Sequence, residues 1–324
     1  MKKIFKILLV AIILFIIVWV LYKTNQTQLQ QAFNNNQNNP NNQNNASAIN
    51  FSSAYPIVIV HGWMGKAIDF KEYGTNLQKD GIAEYKGEMD RRSNASICPE
   101  GWPKAVSVSA EYYYDDNNEK GIESYASELN PVINLVRNCT GSDQVIILAH
   151  SMGGLVSRKY MVDYGNAQVK KLITLATPHY GFNEFTKSEI VLMILRLFTG
   201  REKDVEQMGP GSDFLIALDK ADIGYRNKIV SIGTYTIDNN TLLFDLPIFP
   251  AQLKDFEKQN FLNSDLIVKL DSTKLAGSKY YQVKGCSHTQ ITDFRIGNSS
   301  GSINDVNACP EAYAIVKKEI LASI

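Results

Sequence analysis

Apolar residues recur along this chain in short runs, separated by segments in which they fall three or four positions apart, and that alternation predicts its architecture. Pro56–Val60, Ala105–Glu111, Val145–Ala149, Lys171–Leu175, Lys228–Ile232 and Lys279–Val283 have the length and the β-branched content of buried strands. Between them, Ile68–Lys79, Ile122–Asn138, Gly154–Tyr164 and Glu311–Ser323 carry helical spacing. Within the second of these, Asn130 is expected to cap a new helix that begins at Pro131, since proline suits a first helical position and breaks an interior. Strand and helix in alternation imply an α/β fold: a mostly parallel central sheet of about six strands, covered by helices on both faces.

The N-terminus follows a different pattern. Met1–Lys6 carries three lysines and Ile7–Tyr22 is an uncharged apolar run. Counted from Ile4, a helix here would be about 28 Å long at 1.5 Å per residue, against a hydrocarbon core of ~30 Å. The lysines orient that end to the cytoplasm and the rest of the chain outward. A cleaved signal peptide is the competing reading. The A-x-A site it would need, Ala46-Ser47-Ala48, lies far beyond the apolar run, so an uncleaved transmembrane signal-anchor over 1–24 is expected. Residues 25–50 are dominated by Asn and Gln and cannot bury enough surface to offset the entropy of ordering, so they are expected to be a disordered linker. A single domain over 51–324 follows, of a size that one α/β unit fills.

Charge excludes one class of partner. The 33 basic and 33 acidic residues balance, so no cationic surface for nucleic acid is implied. The four cysteines, Cys98, Cys139, Cys286 and Cys309, allow two disulfides outside the cell in three connectivities. Cys286–Cys309 with Cys98–Cys139 is preferred, because the first bond would pin a histidine-bearing loop. No Cys-x-x-Cys or paired histidines suggest a zinc site, and no cofactor or metal is expected. Asn94, Asn138, Asn239 and Asn298 stand in N-x-S/T sequences, relevant where a host glycosylates.

The chemistry concentrates in Gln144–Tyr160, QVIILAHSMGGLVSRKY. A buried strand, a serine and a helix opened by Gly153-Gly154 have the order of a nucleophile elbow, in which a strained turn exposes a serine hydroxyl. Crowding at that turn requires small residues two positions either side of Ser151, and Ala149 and Gly153 supply them. The first strand runs into His61-Gly62-Trp63-Met64-Gly65, a turn that can aim a backbone N–H at a developing oxyanion. The second such donor normally follows the nucleophile. Trp63 and Met152 are therefore the candidate oxyanion donors. Of the four histidines, His61 and His150 lie inside these two motifs, and strand alternation turns His150 away from the serine's side. His179 precedes any acid, whereas His288 follows the last strand, where the order Ser, acid, His places the base. For the acid, Asp238, Asp245, Asp255, Asp265 and Asp271 all lie in the right interval.

The His-Gly turn, the A-H-S-M-G-G elbow, L-x-T-L-A-T-P-H-x-G at Leu172–Gly181 and M-G-P-G-S-D-F-L at Met208–Leu215 together resemble the lipase group of α/β-hydrolases. The elbow is similar to that of small Bacillus lipases. The later motifs resemble lecithin–cholesterol acyltransferase-like and GPI-inositol-deacylase-like proteins. The resemblance implies the α/β-hydrolase fold and a Ser-His-Asp hydrolase of carboxylic, especially lipid acyl, esters. It also puts one acid first: Asn263-Ser-Asp265-Leu-Ile-Val268 is similar to the turn that carries the acid in bacterial lipases, so Asp265 leads, and Asp238, nearer the end of the fifth strand, is the runner-up. Lipases carry a lid after the fourth strand, which implies an insertion at about 183–225. There Glu189–Phe198 is apolar nearly all round, so that Leu192 and Leu195 would cover the acyl site unless the helix is buried core. The apolar stretch Thr241–Leu253 would face it. Two features depart from the pattern: Ala149 in place of glycine, and a long polar loop expected at Lys86–Pro103. The implied partners are a lipid or small acyl ester and a membrane surface reached through the anchor. An acyltransferase using the same residues, or an inactive binding module of the same fold, is the alternative.

Overall fold

Among the described residues, seven parallel strands form one sheet in the order β2-β3-β1-β4-β5-β6-β7. The computed structural model describes residues 51–112, 120–182, 202–236, 262–288 except 266, and 309–323, with positions 251, 254, 255 and 258. The strands are β1 Ile57–Val60, β2 Glu84–Met89, β3 Val106–Ala110, β4 Val145–His150, β5 Val169–Leu175, β6 Ile229–Tyr235 and β7 Lys279–Lys284. The helices are α1 Lys71–Lys79, α2 Gly121–Thr140, α3 Met152–Tyr160, α4 Glu202–Gln207, α5 Asp213–Ala221, α6 Leu270–Thr273 and α7 Pro310–Leu321. The expected anchor and linker, Glu189–Phe198 with Leu192 and Leu195, the 241–250 stretch, and Asp238 and Asp245 lie outside the described residues. Among the described residues no helix is long and apolar enough to cross a membrane.

Strand alternation divides the core in two. Val58, Val60, Ile147 and Ala149 face one side, where they pack with Leu129, Ile133 and Val136 of α2 and Leu155 and Val156 of α3. Ile57, Ile59, Ile146 and Leu148 face the other, against Tyr73 and Leu77 of α1 and Val316 and Ile320 of α7. A sheet covered on both faces needs apolar residues at every position, which is why these strands read as continuous runs.

Two expectations are corrected. The polar loop expected at Lys86–Pro103 opens instead inside β2, which makes a seventh strand. Its sequence, EYKGEM, is half-exposed, and its register against β3 shifts between Tyr85 and Glu88, where Gly87 has φ +89°. An edge strand has no second neighbour to cover it, and a bulge breaks the period of two, so neither sequence cue survives. Pro131 does not start a second helix but lies inside one continuous α2. Asn130 instead accepts a 3.1 Å hydrogen bond from the Asn134 side chain. An interior proline costs ~3 kcal/mol, which the burial of Leu129, Val132, Ile133 and Val136 around it exceeds at roughly 1.5–3 kcal/mol each.

Register then sets the site. Val60 pairs with Ala110 on one side and Ala149 on the other, so the loops that begin at His61, Glu111 and Ser151 leave the sheet side by side. The chain runs from β1 to one edge and later crosses to β4 for the other, and the crevice at such a reversal is where open α/β sheets bind ligands. Of the insertion expected at 183–225, residues 202–225 are described. Val205, Met208, Leu215 and Leu218 are buried there, and the Gln207 side chain accepts the Ile122 N–H at the start of α2 (2.7 Å).

Candidate active site

Ser151 joins β4 to α3 with φ +52° and ψ −127°, a conformation that costs a non-glycine residue about 1–3 kcal/mol. Its surroundings hold it there. The Ser151 N–H donates to the Leu175 carbonyl (2.8 Å), and the Ser151 carbonyl accepts from Thr177 Oγ1 (2.9 Å) and from the Gly154 N–H (3.0 Å). Close approach explains the glycines. A Cβ on Gly153 would lie 2.2 Å from the His61 carbonyl oxygen, and one on Gly154 would lie 2.1 Å from Thr177 Oγ1. Ala149, fully buried, shows that the position two before the serine tolerates a methyl.

His288 and Asp265 meet Ser151 in one hydrogen-bonded series. Ser151 Oγ donates to His288 Nε2 (2.8 Å), and His288 Nδ1 donates to Asp265 Oδ2 (2.8 Å). A carboxylate on the Nδ1 side fixes the tautomer that leaves Nε2 free to accept a proton. Asp265 is completely buried, and its other oxygen accepts the N–H groups of Ile267 (3.1 Å) and Val268 (2.8 Å). Asp271 and Asp255, two of the other acids in the interval, are exposed. The backbone continues the link, since the His288 N–H donates to the Asp265 carbonyl (3.2 Å). Disulfides join Cys286 to Cys309 and Cys98 to Cys139, as preferred from the sequence, and bonds of this kind belong to chains that mature in an oxidising compartment.

His150 and His179 are buried and engaged with other partners. His150 Nε2 donates to the His288 carbonyl (3.0 Å), and burial, then the neighbouring His288, pushes its pKa well below the usual histidine range. His179 Nδ1 accepts from Arg158 Nη1 (3.2 Å). Burial, then the charges of Arg158 and Arg226, also pushes the His179 pKa well below the usual histidine range. The parts played by His150 and Thr177 are not legible in the sequence, although Thr177 lies in a motif that is. Their partners are 138 and 26 residues distant.

Trp63 and Met152 flank the serine. Met152 opens α3, where backbone N–H groups project from the helix end. Trp63 follows Gly62, on which a Cβ would lie 3.0 Å from Ser151 Cβ, and its ring packs tilted against Phe182 with centroids 6.4 Å apart. Among the described residues no group of three or more His, Cys, Asp or Glu side chains could hold a metal ion.

Residues 51–193 match the PGAP1-like alpha/beta domain family. No curated protein sequence matches the chain. The mature lipase BlEst2 of Bacillus licheniformis superposes with a TM-score of 0.52 at 14% identity, over 87% of this chain and 96% of its own. Phospholipase PlaB of Legionella pneumophila superposes with a TM-score of 0.55 at 15% identity, over 83% of this chain and 60% of its own. At such identities the likeness is one of fold. The chain therefore has the α/β-hydrolase fold, and over residues 51–193 it is similar to the PGAP1-like alpha/beta domain family.

Proposed function

We propose that this protein hydrolyses carboxylic esters, with lipid acyl esters as the substrate class, through Ser151, His288 and Asp265. The observation that carries the reading is the unbroken series from Ser151 Oγ through the His288 ring to the buried Asp265 carboxylate. In this reading His288 Nε2 takes the Ser151 proton as Oγ attacks the ester carbonyl. The oxyanion so formed accepts the N–H groups of Trp63 and Met152. Collapse expels the alcohol, protonated by His288, and leaves an acyl-serine. Water, deprotonated by the same ring, then releases the acid. Asp265 keeps the ring in its tautomer and stabilises the imidazolium without taking the proton.

A lipid substrate is supported by the motif resemblance and by the naming of structurally similar proteins as a lipase and a phospholipase. In the same reading the apolar N-terminus anchors the chain with its catalytic domain outside the cytoplasm. The test is to incubate the protein with a fluorophosphonate, locate the label and follow p-nitrophenyl ester hydrolysis. Label on Ser151 with loss of activity is expected; label elsewhere, or none, sinks the proposal.

A further inference from the structure

The loop from His61 to Ala67 is gripped at both ends by one side chain. Glu111, the residue after β3, accepts from His61 Nε2 on Oε1 (3.0 Å) and from the Ala67 N–H on Oε2 (3.0 Å). Its own N–H donates to the Met89 carbonyl at the end of β2 (2.7 Å), so the carboxylate is mounted on the sheet. Tyr112 adds a second fixing. Its hydroxyl donates to the His61 carbonyl (2.7 Å), and its ring stacks on the His61 imidazole with centroids 4.1 Å apart and planes 8° from parallel. That same His61 carbonyl is the atom against which Gly153 packs, and Gly62 abuts Ser151 itself.

Between the two fixed ends the Gly62 carbonyl accepts from the Gly65 N–H (3.1 Å) and lies 2.9 Å from His61 Nδ1, and the Lys66 N–H donates to Asp69 Oδ2 (2.8 Å). The turn so formed includes Met64 at φ +56° with its side chain largely in solvent. A strained, exposed turn persists only where its surroundings over-determine it. An oxyanion donor must also be placed within a few tenths of an ångström to favour the transition state over the substrate.

We propose that Glu111 is a positioning residue for ester hydrolysis, its carboxylate clamping His61 and Ala67 so that the Trp63 N–H is aimed at the oxyanion formed at Ser151. The inference rests on the serine-hydrolase reading above. A glutamine at 111 has one accepting oxygen and would present its NH2 group to one of the two donors, so it releases one end of the loop.

The experiment compares wild type, Ser151→Ala and Glu111→Gln in the full chain, measuring kcat and KM on a soluble p-nitrophenyl ester, thermal midpoint and inhibition by phenylboronic acid. The boronic acid adds to a serine hydroxyl as a tetrahedral anion and so reports the oxyanion geometry separately from substrate binding. Expected for Glu111→Gln is a kcat at least tenfold lower and boronate inhibition weakened by a similar factor, with KM and midpoint close to wild type. If kcat and boronate inhibition stay within twofold of wild type while Ser151→Ala is inactive, the clamp is overturned and the hydrolase reading stands. Parallel losses in kcat, KM and midpoint, with boronate inhibition unchanged in the folded fraction, would also overturn it as a purely structural role. An active Ser151→Ala would remove the reading and the clamp together. Should Glu111→Gln fail to fold, Glu111→Asp keeps the charge but is one methylene shorter, so it cannot hold both His61 and Ala67 as Glu111 does. It is expected to lower kcat about threefold to tenfold at unchanged KM, and an unchanged kcat overturns the proposal.

Discussion

His150 Nε2 donates its proton to the carbonyl oxygen of His288, 3.0 Å away, so the residue before Ser151 holds the loop that carries the proposed base. The rings of the two histidines have centroids 5.0 Å apart, and the Phe70 ring lies 6.0 Å from that of His150. His150→Phe should keep most of this packing and leave the carbonyl without its donor. A lost buried hydrogen bond costs about 1–3 kcal/mol, so kcat should fall roughly fivefold to a hundredfold with KM little changed. Steady-state kinetics at pH 8 checks this, and an unaltered kcat would mean that the loop is held without the histidine.

Ser151→Ala should abolish ester hydrolysis in a protein whose circular dichroism is unchanged, because a triad collapses without its nucleophile. Asp265→Asn should lose on the order of 10⁴ in turnover by analogy with other triads, while Asp238→Asn should lose little. The reverse ranking would transfer the acid's part to Asp238.

Acid should unfold this protein partly through its buried histidines. His150 and His179 both have folded pKa values pushed well below the ordinary one, by burial first. In the unfolded chain each takes up a proton near pH 6.5. Below that pH, down to the depressed folded value, the unfolded state therefore holds more protons. Stability from these groups is complete above about pH 6.5 and declines below it, by up to ~1.4 kcal/mol per pH unit for each. Thermal midpoints at pH 7.5, 6 and 5 should fall accordingly, and His179→Asn should flatten the decline. A variant with the wild-type slope would show that other groups set it.

Cys286, two residues before His288, is bonded to Cys309 across a separation of 23 residues. Chain-entropy reasoning gives such a loop about 3 kcal/mol of stabilisation. The double Cys→Ser variant should lose about that much unfolding free energy in urea titration, and should lose activity, since the loop bearing His288 is freed. Full activity at unchanged stability would argue that the bond is dispensable.

Full-length protein should partition with membranes and resist carbonate and high salt, whereas a chain starting at Phe51 should not. Protein in the medium beginning near Ser47 or Ile49 would show cleavage instead.

What the sequence determined by itself is what short-range physics controls. Continuous apolar runs mark strands buried on both faces, and six of the seven strands are legible in this way. The elbow and the His-Gly turn are legible because their small residues follow a fixed local spacing, although the atoms that demand them, the His61 carbonyl, Thr177 and Ser151, come from elsewhere in the chain. Tertiary structure decided the rest. β2 is a strand because β3 pairs with it despite its bulge, and α2 runs through Pro131 because the core on either side outweighs one lost hydrogen bond. That Asp265 faces His288, that His150 supports that histidine's loop, and that Glu111 reaches both His61 and Ala67 are consequences of strand order and register. Those contacts join residues 23 to 138 positions apart, and no local propensity encodes a partner at that distance.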